Sequence, residues 1–108
     1  MTGKIAEEPS LRYMLQLFIS GSTPRSTQAI QNLHRICEAR LKNQYDLEVI
    51  DVYENPEMTK RLQILATPTL VKVSPAPLRR IIGDLSDERR VLAGLGLAIA
   101  DLENSSEP

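Results

Sequence analysis

Few side chains of this sequence combine the type and the spacing that chemistry requires. Cys37 is the only cysteine and His34 the only histidine. One cysteine cannot form an internal disulfide, and these two residues are too few ligands for a structural zinc site. Cys37 lies among apolar residues at helical spacing, which is typical of an inert core cysteine, and His34 is expected to face solvent. Neither residue is assigned a catalytic or metal-binding role.

Three carboxylates near the carboxyl end resemble an acid/base cluster. Asp84, Asp87 and Glu88 surround Ser86, and this arrangement is also typical of a helix start, where side-chain oxygens accept hydrogen bonds from free N–H groups. We favour helix capping for this cluster. Arg25, at another predicted helix start, could help to bind an anion, but no phosphate-cradling loop accompanies it. The sequence therefore predicts no catalytic residue and no cofactor.

The composition indicates a single small domain. The chain has 108 residues, with 13 Lys and Arg against 14 Asp and Glu, and a formal net charge of -1. Because nucleic-acid binding normally needs a clustered excess of basic side chains, we expect no nucleic-acid partner. Residues 1–10 hold no secretory signal and no apolar run is long enough to span a membrane. We therefore expect a soluble cytoplasmic protein with one domain at 11–102, between a polar tail at 1–10 and an acidic tail at 103–108.

Apolar periodicity and turn signals predict four strands and three helices. Thr23-Pro24 marks a helix start, because threonine caps free N–H groups and proline suits the first turn, and Asn55-Pro56 repeats this signal. The predicted elements are strands at Tyr13–Ile19, Leu47–Tyr53, Thr69–Ser74 and Leu78–Ile82, and helices at Pro24–Lys42, at Pro56–Gln63 and from Ser86–Glu88 to Leu102. In chain order they read βαβαββα, which resembles the thioredoxin fold, so we predict an α/β protein of that class.

The thioredoxin resemblance extends to one loop but not to its chemistry. Ala66-Thr67-Pro68-Thr69 stands where that fold places a cis-proline before its third strand. Thioredoxins also need a low-pKa cysteine at the start of the first helix, and here residues 21–26 read Gly-Ser-Thr-Pro-Arg-Ser. A redox or glutathione-handling domain without the usual catalytic cysteines stays open as an alternative function, and it would depend on Cys37.

The apolar segment at 91–100 satisfies two periodicities. At period two, alternate residues from Val91 to Ile99 share one face of a strand. Read instead as a helix, the segment and its continuation bury one face, formed by Val91, Leu92, Leu95, Ile99 and Leu102. Gly94 and Gly96 each cost a helix roughly 1 kcal/mol relative to alanine. The two glycines either let a helix pack closely on the sheet or mark a segment with two structures.

Five strings together resemble the bacterial circadian clock protein family KaiB. They extend over nearly the whole predicted domain, and the two longest are specific. The strings are GSTPRS at 21–26, LEVIDV at 47–52, NP at 55–56, ILATPTL at 64–70 and RRIIGDLSD at 79–87. On these residues the chain resembles a diverged member of the family.

The resemblance implies a non-enzymatic regulator that binds a KaiC-type hexameric ATPase and autokinase and modulates its phosphorylation, in a circadian clock or in a timer or stress pathway. Where KaiA exists, such a regulator also helps to sequester it, and the KaiB-like domain of a clock histidine kinase competes for the same KaiC surface. The family is known to switch folds. A monomeric thioredoxin-like state binds KaiC, whereas an alternative βαββααβ state forms a homodimer or homotetramer at rest.

The resemblance also implies site residues. Those expected to contact the partner are Tyr13, Lys72, Arg79 and Arg80, and those expected to act in the fold switch are Pro68, Gly94 and Gly96. Isomerisation about X–Pro bonds is slow, and Pro68 lies between segments that would have to pair again. Gly94→Ala, by favouring helix, is expected to shift the protein toward monomer and to strengthen KaiC binding.

Three departures from the family pattern concern the equilibrium between the two folds and the docking of the partner. Gly96 stands where the family usually has aspartate, which bears on the position of the equilibrium between folds. Gln28 and Gln63 stand where basic residues are usual. Lost charge at a docking surface alters partner choice and association rate more than fold.

Overall fold

The structure, a computed structural model, describes residues 12–97. Within this range the elements are β1 (Tyr13–Ile19), α1 (Pro24–Arg40), β2 (Tyr45–Asp51), α2 (Pro56–Arg61), β3 (Thr69–Ser74), β4 (Arg79–Ile82) and α3 (Glu88–Leu95). The strands form a four-stranded sheet in the order β2-β1-β3-β4. The predicted thioredoxin-like βαβαββα class is confirmed, and the alternative βαββααβ arrangement stays a prediction.

The sheet joins a parallel pair to two antiparallel pairs. β1 runs parallel to β2, with Tyr13 opposite Tyr45, and the connection between them passes through α1. β3 lies antiparallel to β1 and to β4. An irregularity between Met14 and Leu15 shifts the register of the β1–β3 pair. The chain therefore builds a βαβ unit first and adds a β-hairpin to its open side.

Helix α1 begins as its sequence predicts. The Thr23 hydroxyl accepts the Ser26 N–H at 3.1 Å, and proline follows at the first helical position. The helix ends at Arg40 rather than at Lys42, because Leu41 has already left helical geometry with a φ of -130°. Ala29, Leu33, Ile36 and Cys37 are buried and Ile30 is half-buried, so the helix has one inner face.

Strand β2 begins and ends two residues earlier than predicted. A turn at Asn43, which has a φ of 65°, brings Gln44 to β1. The Gln44 carbonyl accepts the Tyr13 N–H at 2.8 Å. The strand ends when the Asp51 carboxylate accepts the Tyr53 N–H at 2.9 Å. Asparagine tolerates left-handed backbone and aspartate closes a local turn, and these two effects shift the strand.

The two faces of the sheet carry separate apolar clusters. One face packs against α1 and α3, with Leu17, Leu33 and Leu95 at 0% exposure. On the other face Phe18, Ile50, Ile64 and Val71 form a smaller cluster, and Met58 and Leu62 from α2 and the residue after it pack against it. The fold is thus a three-layer arrangement with unequal cores.

Helix α3 is shorter than predicted, since it ends at Leu95 rather than at Leu102. Gly96 adopts a φ of 80°, and the N–H groups of Gly96 and Leu97 donate to the carbonyls of Ala93 and Leu92 at 3.1 and 2.8 Å. Glycine in this left-handed position commonly ends a helix. Ile99 and Leu102, both predicted to face inward, lie outside the described residues, as do the predicted tails.

Smaller shifts affect α2 and β4. α2 ends at Arg61 rather than at Gln63, and Gln63 itself has a φ of 56°. β4 begins at Arg79 rather than at Leu78. β1 and β3 have the predicted bounds.

Candidate docking surface

The loop before α1 meets the cis-proline loop, as in the thioredoxin fold, but hydroxyl groups face each other there. The Thr67–Pro68 peptide bond is cis, and the Ser20 hydroxyl hydrogen-bonds to the Thr67 hydroxyl across the gap. Thr23 is occupied in capping, and its hydroxyl also donates to Ser26 at 2.9 Å. A hydroxyl without a neighbouring general base is a poor nucleophile. The hydroxyl groups of Ser20 and Thr67 hydrogen-bond to each other, and Thr23 serves in helix capping.

Cys37 lies far from this loop and is buried. It follows Pro24 by 13 residues in the helix, which places it about 20 Å along the axis. Burial raises the pKa of the Cys37 thiol to about 12, with a further contribution from Glu38. The thiolate is the reactive form of cysteine, so at neutral pH this residue is an inert member of the core, as predicted.

The carboxylate cluster at the start of α3 serves helix capping, as we favoured. Asp87 accepts the Arg90 N–H at 3.3 Å as the N-cap, and Glu88 lies in the first turn. Hydrogen bonds from Ser86, one of them from its N–H at 3.1 Å, lower the pKa of Asp84. Asp87 is thus occupied in capping, and the lowered pKa of Asp84 is the opposite of what a general acid needs.

The four residues expected to contact a partner differ in exposure. Arg79 and Arg80 are exposed on β4, which is an edge strand. Tyr13 is only 7% exposed and Lys72 only 3%. Direct contact of Tyr13 and Lys72 with a partner stays a prediction, and it requires these side chains to leave the positions that they occupy here.

Strand register separates the two arginines. Lys72 pairs with Arg79 across β3 and β4 and with Leu15 across β1 and β3, so Lys72 and Arg79 lie on the face that α1 and α3 cover. Alternation places Arg80 on the opposite face. Burial, and then the positive charge of Arg79, lower the pKa of the Lys72 amine.

Arg80 is tied to the segment that precedes the cis-proline loop. Its Nη1 donates to the Gln63 carbonyl at 3.1 Å. Gln63 thus contributes a backbone oxygen, whereas the sequence drew attention to its side chain. Arg79 makes no hydrogen bond or ion pair within residues 12–97, which leaves its guanidinium available for docking.

Exposed apolar residues beside the same loop were missed by sequence reasoning. Leu65 is 94% exposed and Tyr53 is 75% exposed, and both line a groove that includes Thr67. Exposed apolar groups that cluster within polar surroundings mark interaction sites. The only signal in the sequence was the position of Leu65 within the ILATPTL string. We call Tyr53, Leu65, Arg79 and Arg80 the candidate docking surface.

The predicted switch residues occupy three different settings. Pro68 is buried, and its carbonyl accepts the Gly83 N–H at 2.9 Å. A Cβ atom on Gly94 would meet Ile81 Cδ1 at 2.4 Å and Cγ1 at 2.7 Å. Gly96 holds the left-handed position that ends α3. The structure therefore supports close packing on the sheet as the role of Gly94.

This packing opposes the expectation for Gly94→Ala, which stays a prediction. Alanine improves helix propensity, but Ile81 is buried and would have to move to admit the methyl group. Overpacking of a core typically costs 1–3 kcal/mol. Helix propensity favours Gly94→Ala, whereas the steric contact with Ile81 opposes it. Helix propensity alone therefore does not make Gly94→Ala favour the thioredoxin-like state.

Within residues 12–97 no group of His, Cys, Asp and Glu side chains is arranged to hold a metal ion. None of the helices in this range is both long and apolar enough to cross a membrane.

Comparison with known proteins places the chain in a family. A family model described as KaiB domain matches residues 16–97. The circadian clock oscillator protein KaiB of Synechococcus elongatus is 48% identical over 99 residues, which are 92% of this chain and 97% of that protein. The N-terminal domain of Synechococcus elongatus SasA has a similar structure, with a TM-score of 0.66 and 28% identity over 80% of this chain and 85% of that one.

Thioredoxins share the fold alone. Mitochondrial thioredoxin 3 from Saccharomyces cerevisiae superimposes with a TM-score of 0.65 at 18% identity, covering 88% of this chain and 89% of its own. The sequence similarity to the KaiB domain model, in contrast, extends through both the cis-proline loop and β4. This chain belongs to the KaiB family of circadian clock proteins.

Proposed function

We propose that this chain is a non-enzymatic regulator that binds a KaiC-type hexameric ATPase and autokinase and modulates its phosphorylation state. It acts in the cytoplasm, in a circadian clock or in a timer or stress pathway. Family membership supports the clock role, and the proposal adds the partner and the mode of action.

The observation that carries the proposal is a thioredoxin-like scaffold with a binding surface in place of a reactive thiol. The cis-proline loop is retained, hydroxyl groups stand at the start of α1, and the single cysteine is buried. Beside that loop lie two exposed apolar side chains, Tyr53 and Leu65, and Arg80, which donates to the Gln63 carbonyl. Arg79 adds an exposed guanidinium on the other face of β4. Such a surface can bind a protein without making or breaking a bond.

Arg79 and Arg80 give the surface a positive charge on an edge strand. Charge of one sign at a docking surface accelerates association with a partner of the opposite sign and fixes orientation. The matching surface on KaiC should then be acidic. Tyr13 and Lys72, buried in this conformation, act on docking by supporting the sheet whose edge strand β4 carries both arginines.

The similarity to the SasA N-terminal domain supports competition for one partner surface. A clock histidine kinase with such a domain and the present chain would exclude each other from KaiC, and KaiA is a further partner where it exists. Two proteins of one fold that bind the same surface can exchange a partner by mass action.

A second, oligomeric fold completes the proposal. The apolar pattern of residues 91–97 suits both a helix and a strand, and position 96 has glycine instead of the aspartate that is usual in the family. We expect the free protein to populate a homodimer or homotetramer with the βαββααβ fold, and KaiC to select the thioredoxin-like monomer. Selection of this kind lowers apparent affinity by the fraction of competent protein.

The decisive experiment is a pull-down of this chain with purified KaiC in the presence of ATP, using phosphorylated and dephosphorylated KaiC. Arg79→Ala should weaken binding by roughly tenfold, since it removes an exposed charge without an internal partner. Arg35→Ala, which removes an exposed arginine from α1, is the matched control and should bind as the wild type does. Equal binding by both variants would contradict the docking surface, and no binding by the wild type would refute the proposed function.

A further inference from the structure

Lys72 is a buried lysine on the larger apolar face of the sheet. It is 3% exposed and lies on β3 between Leu15 of β1 and Arg79 of β4. Lysine is almost never this buried unless it is paired. Because an unpaired buried charge is costly, this position favours the binding of an anion.

Residues 12–97 supply no anion to the Lys72 ammonium. Neither ion pair of this range involves Lys72, and none of its hydrogen bonds reaches the ammonium. Burial, and then the positive charge of Arg79, instead lower the pKa of the Lys72 amine. A lowered pKa of an amine means that its surroundings disfavour the charged form. The thioredoxin-like fold therefore holds a positive charge that its own described groups do not balance.

The Lys72 ammonium is open to solvent at the end of α3. Within residues 12–97, every side-chain nitrogen or oxygen that is sealed from solvent has a hydrogen-bond partner, so the unpartnered ammonium is not sealed. A Cβ atom on Gly96 would stand 3.9 Å from the Lys72 Nζ atom, which is ordinary van der Waals contact. Because glycine has no side chain, position 96 leaves space beside the ammonium.

Arg79 adds a second positive charge beside the first. It lies directly opposite Lys72 on the same face of the sheet, and Cβ atoms in such a pair are about 4.5–5.5 Å apart. Arg79 is exposed and makes no hydrogen bond or ion pair within residues 12–97. The carboxyl end of α3 supplies about half an elementary negative charge, so roughly one and a half positive charges stay unbalanced.

We propose that Lys72 and Arg79 form a binding site for a phosphate group, either inorganic phosphate or a phosphate monoester, at the end of α3. A phosphate monoester carries about -1.5 to -2 charges at pH 7, which matches the unbalanced charge, whereas one carboxylate would leave part of it. Arginine binds phosphate oxygens through two parallel N–H groups, and lysine acts as a point charge. Because the unfolded chain lacks the site, phosphate stabilises the folded monomer by mass action. The inference does not depend on KaiC.

The test is a phosphate titration of the full chain without KaiC, in the fraction that elutes as a monomer, with sodium chloride at equal ionic strength as the reference. Inorganic phosphate at about ten times its dissociation constant should raise the melting temperature by roughly 5 °C. Arg79→Ala should weaken phosphate binding roughly tenfold. Arg61→Ala removes an exposed arginine from α2 on the other side of the sheet, and as the matched control it should bind phosphate as the wild type does. O-phosphoserine is the second probe: tighter binding than inorganic phosphate assigns the site to an ester, and weaker binding assigns it to the free ion.

Lys72→Met provides an independent readout. It should abolish the phosphate-dependent shift, and without phosphate it should melt no lower than the wild type, because an apolar side chain of similar length replaces an unbalanced buried charge. A shift that persists in Lys72→Met, or a melting temperature several degrees below that of the wild type, would overturn the site. If Lys72→Met does not fold, the two arginine variants decide. Equal loss of binding in Arg79→Ala and Arg61→Ala would replace the site with diffuse surface charge, and a phosphate shift no larger than that of chloride would also overturn it.

Discussion

Helices α1 and α3 pack side by side on one face of the sheet, yet they are built differently. α1 extends over 17 residues, from a threonine cap to a gradual end at Leu41. α3 has 8 residues, carries Gly94 against Ile81 and stops at Gly96. Both helices have a side-chain N-cap, but α1 buries six of its residues, whereas α3 buries three and ends at the left-handed Gly96. Because fewer buried contacts hold α3, we expect α3 to open more readily than α1.

The largest expected contrast is in thiol reactivity. Cys37 on α1 has a pKa of about 12, so at pH 8 to 9 its thiolate fraction is about 1,000-fold below that of an ordinary cysteine. The thiol stays protonated at every pH below its raised pKa, and alkylation by iodoacetamide should require global unfolding. Leu95→Cys, in a Cys37→Ala background, should react at least tenfold faster, because α3 opens without α1.

Mass spectrometry of the alkylated protein over time measures both rates. Equal protection of the two positions would contradict the contrast between the helices. Disulfide reductase activity that disappears in Cys37→Ser would revive the redox alternative, and we expect no such activity.

Core truncation provides the next contrast. Leu33 and Leu95 are both 0% exposed. Leu33→Ala should lower the free energy of unfolding by about 2–5 kcal/mol without changing the fold. Leu95→Ala should instead move protein from the thioredoxin-like monomer to the oligomer, because it weakens only the state in which α3 is helical. Urea titration and size-exclusion elution distinguish the two outcomes. A simple loss of stability in both variants would count against a C-terminal half that adopts two folds.

Two left-handed glycines allow a matched comparison. Gly21, before α1, has a φ of 62° with open space around it, and Gly96 has a φ of 80°. Alanine at either position should cost roughly 1–2 kcal/mol. Gly21→Ala should only lower the melting temperature, whereas Gly96→Ala should also reduce helix content in circular dichroism as α3 loses its end. Identical spectra for the two variants would show that Gly96 does not control α3.

The smallest effect concerns the contact between Gly94 and Ile81. Ile81→Val removes the Cδ1 atom that a Cβ at position 94 would meet at 2.4 Å. The combination Gly94→Ala with Ile81→Val should be more stable than the sum of the single changes predicts, by about 1 kcal/mol. Ile36→Val, on α1 in the same core, is the matched control and should show no coupling with Gly94→Ala. Additivity in the first pair would mean that the contact with Cδ1 does not limit this position, since valine retains Cγ1.

The sequence allowed the order of elements to be predicted, together with the start of α1, because caps and apolar spacing act locally. The bounds of β2 were wrong because they depend on a turn at Asn43 and on a side-chain hydrogen bond of Asp51. The end of α3 was wrong because the apolar pattern continues beyond Gly96, and only the backbone angle shows that the helix stops there.

Site residues were harder to predict, because their exposure depends on tertiary packing. Arg79 and Arg80 are exposed, as a docking role requires. Lysine is usually a surface residue, and the burial of Lys72 accompanies its pairing with Leu15 and the approach of Gly96, where an added Cβ would stand 3.9 Å from the Lys72 Nζ atom. Leu65 drew attention only as part of the ILATPTL string, although its side chain is exposed.

The burial of Cys37 has a consequence for signalling. Peroxide and other oxidants modify cysteines that are ionised and accessible, and the one sulfhydryl of this chain is neither. Swings in the oxidative state of a cell therefore leave this sulfhydryl unmodified. Oxidation at this position would first require the core around α1 to open.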